Sequence, residues 1–238
     1  LDGPAQLALL ARLDRRAELA DVPNEHGGRM EYFWWNPSFG PGDAEYLYGL
    51  LRERRPRRMV EVGAGLSTLM AWRALERNAR EGHPCELTCI EPYEHAWLEQ
   101  LGPRVLREPL ERAPRSVFGE LGAGDVLFVD SSHVVRPGGD VLLEVLELLP
   151  ALRPGVAVHF HDVFTPWHYP RAWLVDDLKL WNEQYLLEAF LSCNREFRVL
   201  GALHWLARRH AAEFEGAFPV YARRDHPWTA GSFWIERV

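Results

Sequence analysis

Residues Met59-Val-Glu-Val-Gly-Ala-Gly-Leu-Ser-Thr-Leu-Met70 join a short apolar run to a helix-forming run through two closely spaced glycines. Met59, Val60 and Val62 read as a buried strand, entered through Pro56-Arg57-Arg58, and a helix follows from about Ser67 to Asn78. Gly63 and Gly65 allow the backbone to turn tightly and approach a ligand, because neither carries a Cβ. The free N–H groups at the start of the helix then face whatever lies above the strand. A chain containing this segment is expected to build an α/β sheet with a ligand site at the turn.

The rest of the sequence repeats the alternation. Further strands are expected at Glu86–Ile90, Arg104–Leu106, Asp125–Val129, Gly155–His161, Phe197–Leu203 and Gly231–Val238. Helices are expected over Gly42–Arg54, Asp140–Leu149 and about Trp173–Cys193, after an N-terminal amphipathic segment with Leu7, Leu10, Ala11 and Leu13 at helical spacing. Such alternation implies right-handed crossovers and a doubly wound, mostly parallel, Rossmann-like sheet of seven strands. No linker divides the 238 residues, so a single structural domain is expected. It would comprise a helical and aromatic cap over 1–55 and a ligand-binding body over 56–238, with an insertion at about 204–230. Ligands of such sheets lie beyond the carboxyl ends of the strands.

The turn selects among ligands. A dinucleotide site would want a third glycine where Thr68 stands, and Glu61 would repel a pyrophosphate. An acid there can instead accept hydrogen bonds from a cationic or hydroxyl-bearing ligand, which favours the sulfonium nucleoside S-adenosylmethionine. Glu91 ends the second strand, where a carboxylate can accept both ribose hydroxyls, and Ser67 opens the helix beside it. The form acid-x-Gly-x-Gly at Glu61, Gly63 and Gly65 resembles the first motif of the class I methyltransferases, a resemblance that implies the same cofactor and an antiparallel last strand.

A second constellation is formed by Asp130-Ser-Ser-His133 and His159-Phe-His161-Asp162, at the ends of strands expected to be neighbours. Period two places His159 and His161 on one face, so that Asp130, His161 and Asp162 could surround magnesium, manganese or iron(II), or form a metal-free polar cluster. This part resembles the metal-dependent small-molecule O-methyltransferases of the catechol and macrolide-sugar type. Asp130 matches their fourth-strand acid, whereas His161 departs from their usual carboxylate. His133 stands where the catechol enzymes carry a basic lysine, which implies a role as general base with Asp130 beside it. The series Asp130-Ser-Ser-His133, Gly138-Gly-Asp-Val141, Leu149-Pro-x-Leu-x-Pro-Gly155, His159-x-His161-Asp162 and Tyr169-Pro170 resembles a methyltransferase-like family over roughly residues 30 to 200. Trp167, His168 and Tyr169, with Trp34, Trp35 and Phe39, are candidate walls of an acceptor pocket.

The net charge of −7 and the lack of a basic stripe argue against a nucleic-acid partner. Cys85, Cys89 and Cys193 offer neither a disulfide framework nor a paired metal motif. No window approaches an apolar membrane span, and the first residues do not read as a signal peptide, so a cytoplasmic protein without a membrane partner is expected. A homo-oligomer is compatible with the sequence. The function expected is S-adenosylmethionine-dependent O-methylation of a small-molecule hydroxyl, a sugar or phenol of secondary metabolism. The alternatives are a non-catalytic nucleoside- or metal-binding module, methylation at nitrogen or carbon, and an iron-dependent variant using His159 or His161 with Asp162.

Overall fold

The computed structural model describes every residue except 29, 94, 224, 226 and 227. Seven strands form one sheet: β1 (Arg58–Val62), β2 (Glu86–Ile90), β3 (Arg104–Leu106), β4 (Val126–Val129), β5 (Ala157–Phe160), β6 (Phe197–Ala202) and β7 (Phe233–Arg237). Their spatial order is β3-β2-β1-β4-β5-β7-β6. The β1, β2, β3, β4 and β5 pairings are parallel, and β7 runs antiparallel to both β5 and β6. The α/β, doubly wound, Rossmann-like expectation is met, including the reversed last strand. The order switches between β1 and β4, which opens a crevice above their carboxyl ends.

Alternation along each strand feeds two cores. Met59, Val126, Phe128, Ala157 and Trp234 enter one apolar cluster, while Val60, Val62, Leu127, Val129, Val158 and Phe160 enter the other. Helices α1 (Gly3–Leu10), α2 (Asp43–Arg54) and α3 (Leu66–Arg80) supply the first face. Helices α4 (Asp140–Leu143) and α5 (Glu183–Ser192) supply the second. α4 runs on through a π-helical turn at Glu144–Leu148. Burial of this kind contributes on the order of 25 cal/mol per Å² of apolar surface removed from water.

One expectation needs correction. The single helix expected over about Trp173–Cys193 is broken: a short turn covers Arg171–Val175, and α5 begins only at Glu183. Leu178 adopts a left-handed φ of 53°, and Lys179 lies between the Trp173 and Trp181 rings at 4.0 and 4.1 Å, so the interruption is a folded feature. The stretch 204–230, expected as an insertion, is largely helical, with α6 (Leu203–Arg209), α7 (Ala211–Ala217) and a turn at Pro219–Ala222. It packs on the N-terminal segment. Phe214 and Phe218 are buried there, and the Glu45 carboxylate of α2 accepts from the N–H groups of Val220 and Tyr221 at 2.9 and 3.0 Å. Cap and insertion thus cover the same face of the sheet. Among the described residues, no helix is long and apolar enough to cross a membrane.

The glycine turn is where the sheet is tightest. Gly63 has φ +77°, and a Cβ built on it would lie 1.8 Å from the Asp130 carbonyl oxygen. The β1 and β4 ends are locked together by the Asp130 N–H donating to the Val62 carbonyl at 2.9 Å, and the Gly63 N–H donates to Ile90 at 3.0 Å. Replacing Gly63→Ala is therefore expected to cost at least about 2 kcal/mol of stability in a urea titration, through the backbone strain and the clash together. An unchanged midpoint would show that β1 and β4 separate freely.

Candidate functional site

The acids expected at the strand ends converge on the crevice, in different capacities. Glu61 is completely buried beneath the turn, where its carboxylate accepts from Ser67 Oγ at 2.7 Å and lies 3.8 Å from Cys89 Sγ. Burial pushes its carboxyl up to about 7. It therefore pins the start of α3 from below and does not line either cavity described next. Thr68, read as a missing third glycine, turns its hydroxyl back to accept from the Gly65 N–H at 2.9 Å.

Two cavities meet above the turn. The larger, about 420 Å³, is lined by Ile90, Glu91, Leu110, Glu111, Ser132 and Arg136 among others. The smaller, about 230 Å³, runs over Gly65, Leu66 and Ser67 to Ser38, Phe39 and His95. Gly63, Glu91 and Asp130 belong to both. Glu91 is held in place by accepting from the Tyr93 N–H at 2.8 Å.

Behind this junction, Asp130 and the β5 tip form a buried ionic cluster. His133 Nε2 lies 3.2 Å from Asp130 Oδ1 and 3.9 Å from Asp162 Oδ2, and its Nδ1 lies 2.9 Å from Glu183 Oε2. His161 Nδ1 is 3.6 Å from both Asp130 and Asp162, and its Nε2 is 3.8 Å from Asp43. His133 and Asp162 both occupy left-handed backbone, with φ of 58° and 55°. Such strain in non-glycine residues persists only where the surroundings enforce it.

The charges decide what the cluster can do. Burial lowers both imidazole pKa values, but carboxylate neighbours outweigh it: Asp130 and Glu183 raise His133 to about 10, and Asp162 and Asp130 hold His161 well above its ordinary value. Burial would likewise raise Asp130, yet His161 and His133 hold its carboxyl far below the usual range. Asp162 keeps a raised pKa because burial outweighs the same two imidazoles.

A divalent ion between Asp130, His161 and Asp162 would need their donor atoms to converge on one point. His161 Nδ1 lies 3.6 Å from each of the two carboxylates, and His133 Nε2 lies 3.2 and 3.9 Å from them. Among the described residues, no group of three or more His, Cys, Asp or Glu side chains is set to hold a metal ion. The expected metal ligands do come together, but as an ion-pair cluster, and a cation does not fit it as placed. His159 stands apart from this chemistry. It stacks on Phe128 at 3.8 Å and shares a hydrogen bond with Ser232 Oγ at 2.9 Å, and burial drives its pKa well down.

The expected acceptor walls are dispersed. Trp35 carries Arg223 at 4.8 Å, Trp167 carries Arg208 at 4.7 Å, and His168 meets Tyr185 on an exposed surface. Tyr169 is buried, with its hydroxyl accepting from the Gln184 N–H. None of the four lines the two cavities. Phe39 does, with its ring 5.3 Å from His161. Sequence reasoning missed Asp43, Trp181 and Glu183. Asp43 resembles any helix-opening acid, yet its carboxylate accepts from the Gly231 and Ser232 N–H groups and faces His161.

The His133 pairs have a pH signature. With its folded pKa raised to about 10 from 6.5, they stabilise fully below about 6.5 and are lost as pH rises through about 10. The melting temperature of the wild type is expected to fall across that window more steeply than that of His133→Gln. Parallel curves would remove the imidazolium from the cluster.

Residues 60–163 match the family model described as a methyltransferase domain. No curated protein matches the chain. Among solved structures, the chain is similar to two forms of cmcI. One, with S-adenosylhomocysteine, shows 14% identity and a TM-score of 0.47, with 93% of this chain and 91% of that one covered. The other, with magnesium and S-adenosylmethionine, shows 15% identity and a TM-score of 0.45, covering 93% and 84%. It is also similar to the MycE methyltransferase of the mycinamycin biosynthetic pathway, in complex with magnesium, S-adenosylhomocysteine and mycinamycin VI. There the identity is 15% and the TM-score 0.41, over 79% of this chain and 47% of that one. The match to a methyltransferase domain spans β1 to the β5 tip, within the seven-stranded sheet of order β3-β2-β1-β4-β5-β7-β6.

Proposed function

We propose that the protein transfers a methyl group from S-adenosylmethionine to a hydroxyl of a small molecule. The observation that carries this reading is the meeting of two cavities at Gly63, Glu91 and Asp130, beside a buried cluster of carboxylates and imidazoles. The larger cavity, with apolar Ile90 and Leu110 as walls, has the size and lining for an adenosine. Glu91 is placed to accept the ribose hydroxyls. The smaller cavity runs over the free N–H groups of the α3 start, which suit the carboxylate of the amino-acid end. Bound there, the cofactor supplies an electrophilic methyl on a sulfonium.

An acceptor oxygen beside Asp130 would face the imidazole cluster. His133 suits the role of general base poorly at neutral pH. Both of its nitrogens point at carboxylates, which can only accept, so both carry hydrogens. Two buried positive charges beside the acceptor lower the cost of forming an oxyanion in a site largely shielded from water. Asp162, 3.9 Å from His133 and with burial raising its proton affinity, is the better group to take up the hydroxyl proton. Proximity and alignment between the sulfonium and the oxygen supply the remainder.

Calorimetry is expected to show binding of S-adenosylmethionine and S-adenosylhomocysteine. Glu91→Ala should weaken it about tenfold or more, the worth of charge-assisted hydrogen bonds to a diol. In a labelled-methyl assay over hydroxylated small molecules, Asp162→Asn should lower turnover by about 10²–10⁴ with cofactor affinity unchanged. Absence of cofactor binding by the wild type would sink the reading. Protein purified without chelator is expected to carry well under one equivalent of divalent metal. A stoichiometric ion that Asp162→Ala loses would instead restore a metal-assisted reaction.

A further inference from the structure

Two carboxylates lie behind the site without a part in the transfer just described: Glu144, in the π-helical turn after α4, and Glu183, the first residue of α5. Each is 1% exposed, and Oε1 of each has no hydrogen-bond partner. Burying a carboxylate is costly unless something pairs with it. Ser131 Oγ lies 3.2 Å from Glu144 Oε2, and His133 Nδ1 lies 2.9 Å from Glu183 Oε2. Burial first, and then the charge of Glu183, push Glu144 well above the usual carboxyl range. Glu183 is left to answer His133.

The start of α5 holds the His133 turn in other ways as well. The N–H groups of Asn182 and Glu183 both donate to the His133 carbonyl, at 3.0 and 3.2 Å. The Asn182 side chain accepts from the Val135 N–H. The Trp181 ring lies 4.3 Å from the His133 ring, tilted by 47°. This grip explains how a non-glycine residue is kept at φ 58° at the tip of β4. It also explains the break ahead of α5: a continuous helix could not present Trp181, Asn182 and Glu183 to the same turn.

We propose that Glu183 is a positioning residue for methyl transfer, fixing the His133 ring so that Nδ1 faces inward and Nε2 faces Asp130 and the acceptor side of the junction. Glu183 touches neither cavity, and its effect on the reaction passes through His133. The functional part of the proposal rests on the methyl-transfer reading, whereas the ring orientation can be read without any acceptor.

The test uses the whole chain with ¹⁵N-labelled histidine and three forms: wild type, Glu183→Gln and Glu144→Gln. In the wild type, the His133 Nδ1 proton should resonate far downfield and exchange slowly, as a proton donated to a buried carboxylate does. Glu183→Gln should shift that signal upfield or lose it to exchange while S-adenosylhomocysteine binding stays within about twofold. Glu144→Gln leaves the Glu183–His133 contact intact and should leave the signal in place. In the labelled-methyl assay, Glu183→Gln should lower kcat about 10-fold to 100-fold with KM for S-adenosylmethionine unchanged. The proposal is overturned if the Nδ1 signal survives Glu183→Gln, if both variants abolish it equally, or if kcat is unaltered. Should the wild type bind cofactor and methylate no acceptor, the methyl-transfer reading fails while the Nδ1 signal still decides the orientation.

Discussion

The close passage of the Gly63 backbone over the Asp130 carbonyl is the constraint on which the site depends. It fixes the ends of β1 and β4 at a distance no side chain could share. Because β1 and β4 flank the switch in strand order, this contact also sets the floor of the crevice. Glu61 and Thr68 serve the same end from beneath and within the turn, one holding Ser67 and the other the Gly65 N–H. Glu91 and the two cavities take their positions from that floor.

Much of this could be read in the sequence, for a physical reason. Strands buried on both faces are short apolar runs, and polar residues at their ends have few places to go other than the crevice. That is why β1, β2, β4 and β5 lie where the apolar runs put them, with Gly63, Glu91 and Asp130 at the crevice and His161 and Asp162 in the cluster behind it. What escaped has equally specific causes. Apolar periodicity across Trp173–Cys193 hid the break that brings Trp181 and Glu183 to His133, since helical spacing says nothing about a single left-handed residue such as Leu178. Asp43 was masked by its ordinary place at a helix start. Glu61 was expected to face the ligand, but a strand of alternating faces carries it under the turn. Trp35 and Trp167 are aromatic groups drawn to arginines, a pairing that no linear pattern announces.

His161 sets the electrostatics of the β5 tip. With imidazole, the positive charge is already part of the chain, held between Asp43, Asp130 and Asp162. Whether positive charge beside an acceptor comes from an ion or from protonated histidine, it acts through the same Coulomb attraction on a developing anion. The covalently attached version cannot diffuse away, but it depends on the proton balance of the whole cluster.

The reversed strand β7 has a bearing on when the site comes into being. Residues just ahead of it supply the Gly231 and Ser232 N–H groups that hold Asp43, and Ser232 is also the partner of His159. β7 itself is inserted between β5 and β6, both of which precede it in the chain. During synthesis, every residue of the ionic cluster emerges before the segment that anchors Asp43 and completes the neighbourhood of β5. A nascent chain halted short of residue 231 therefore holds the glycine turn and the acids around it but lacks the backbone donors that anchor Asp43, so the floor of the crevice can form before the ionic cluster behind it is complete.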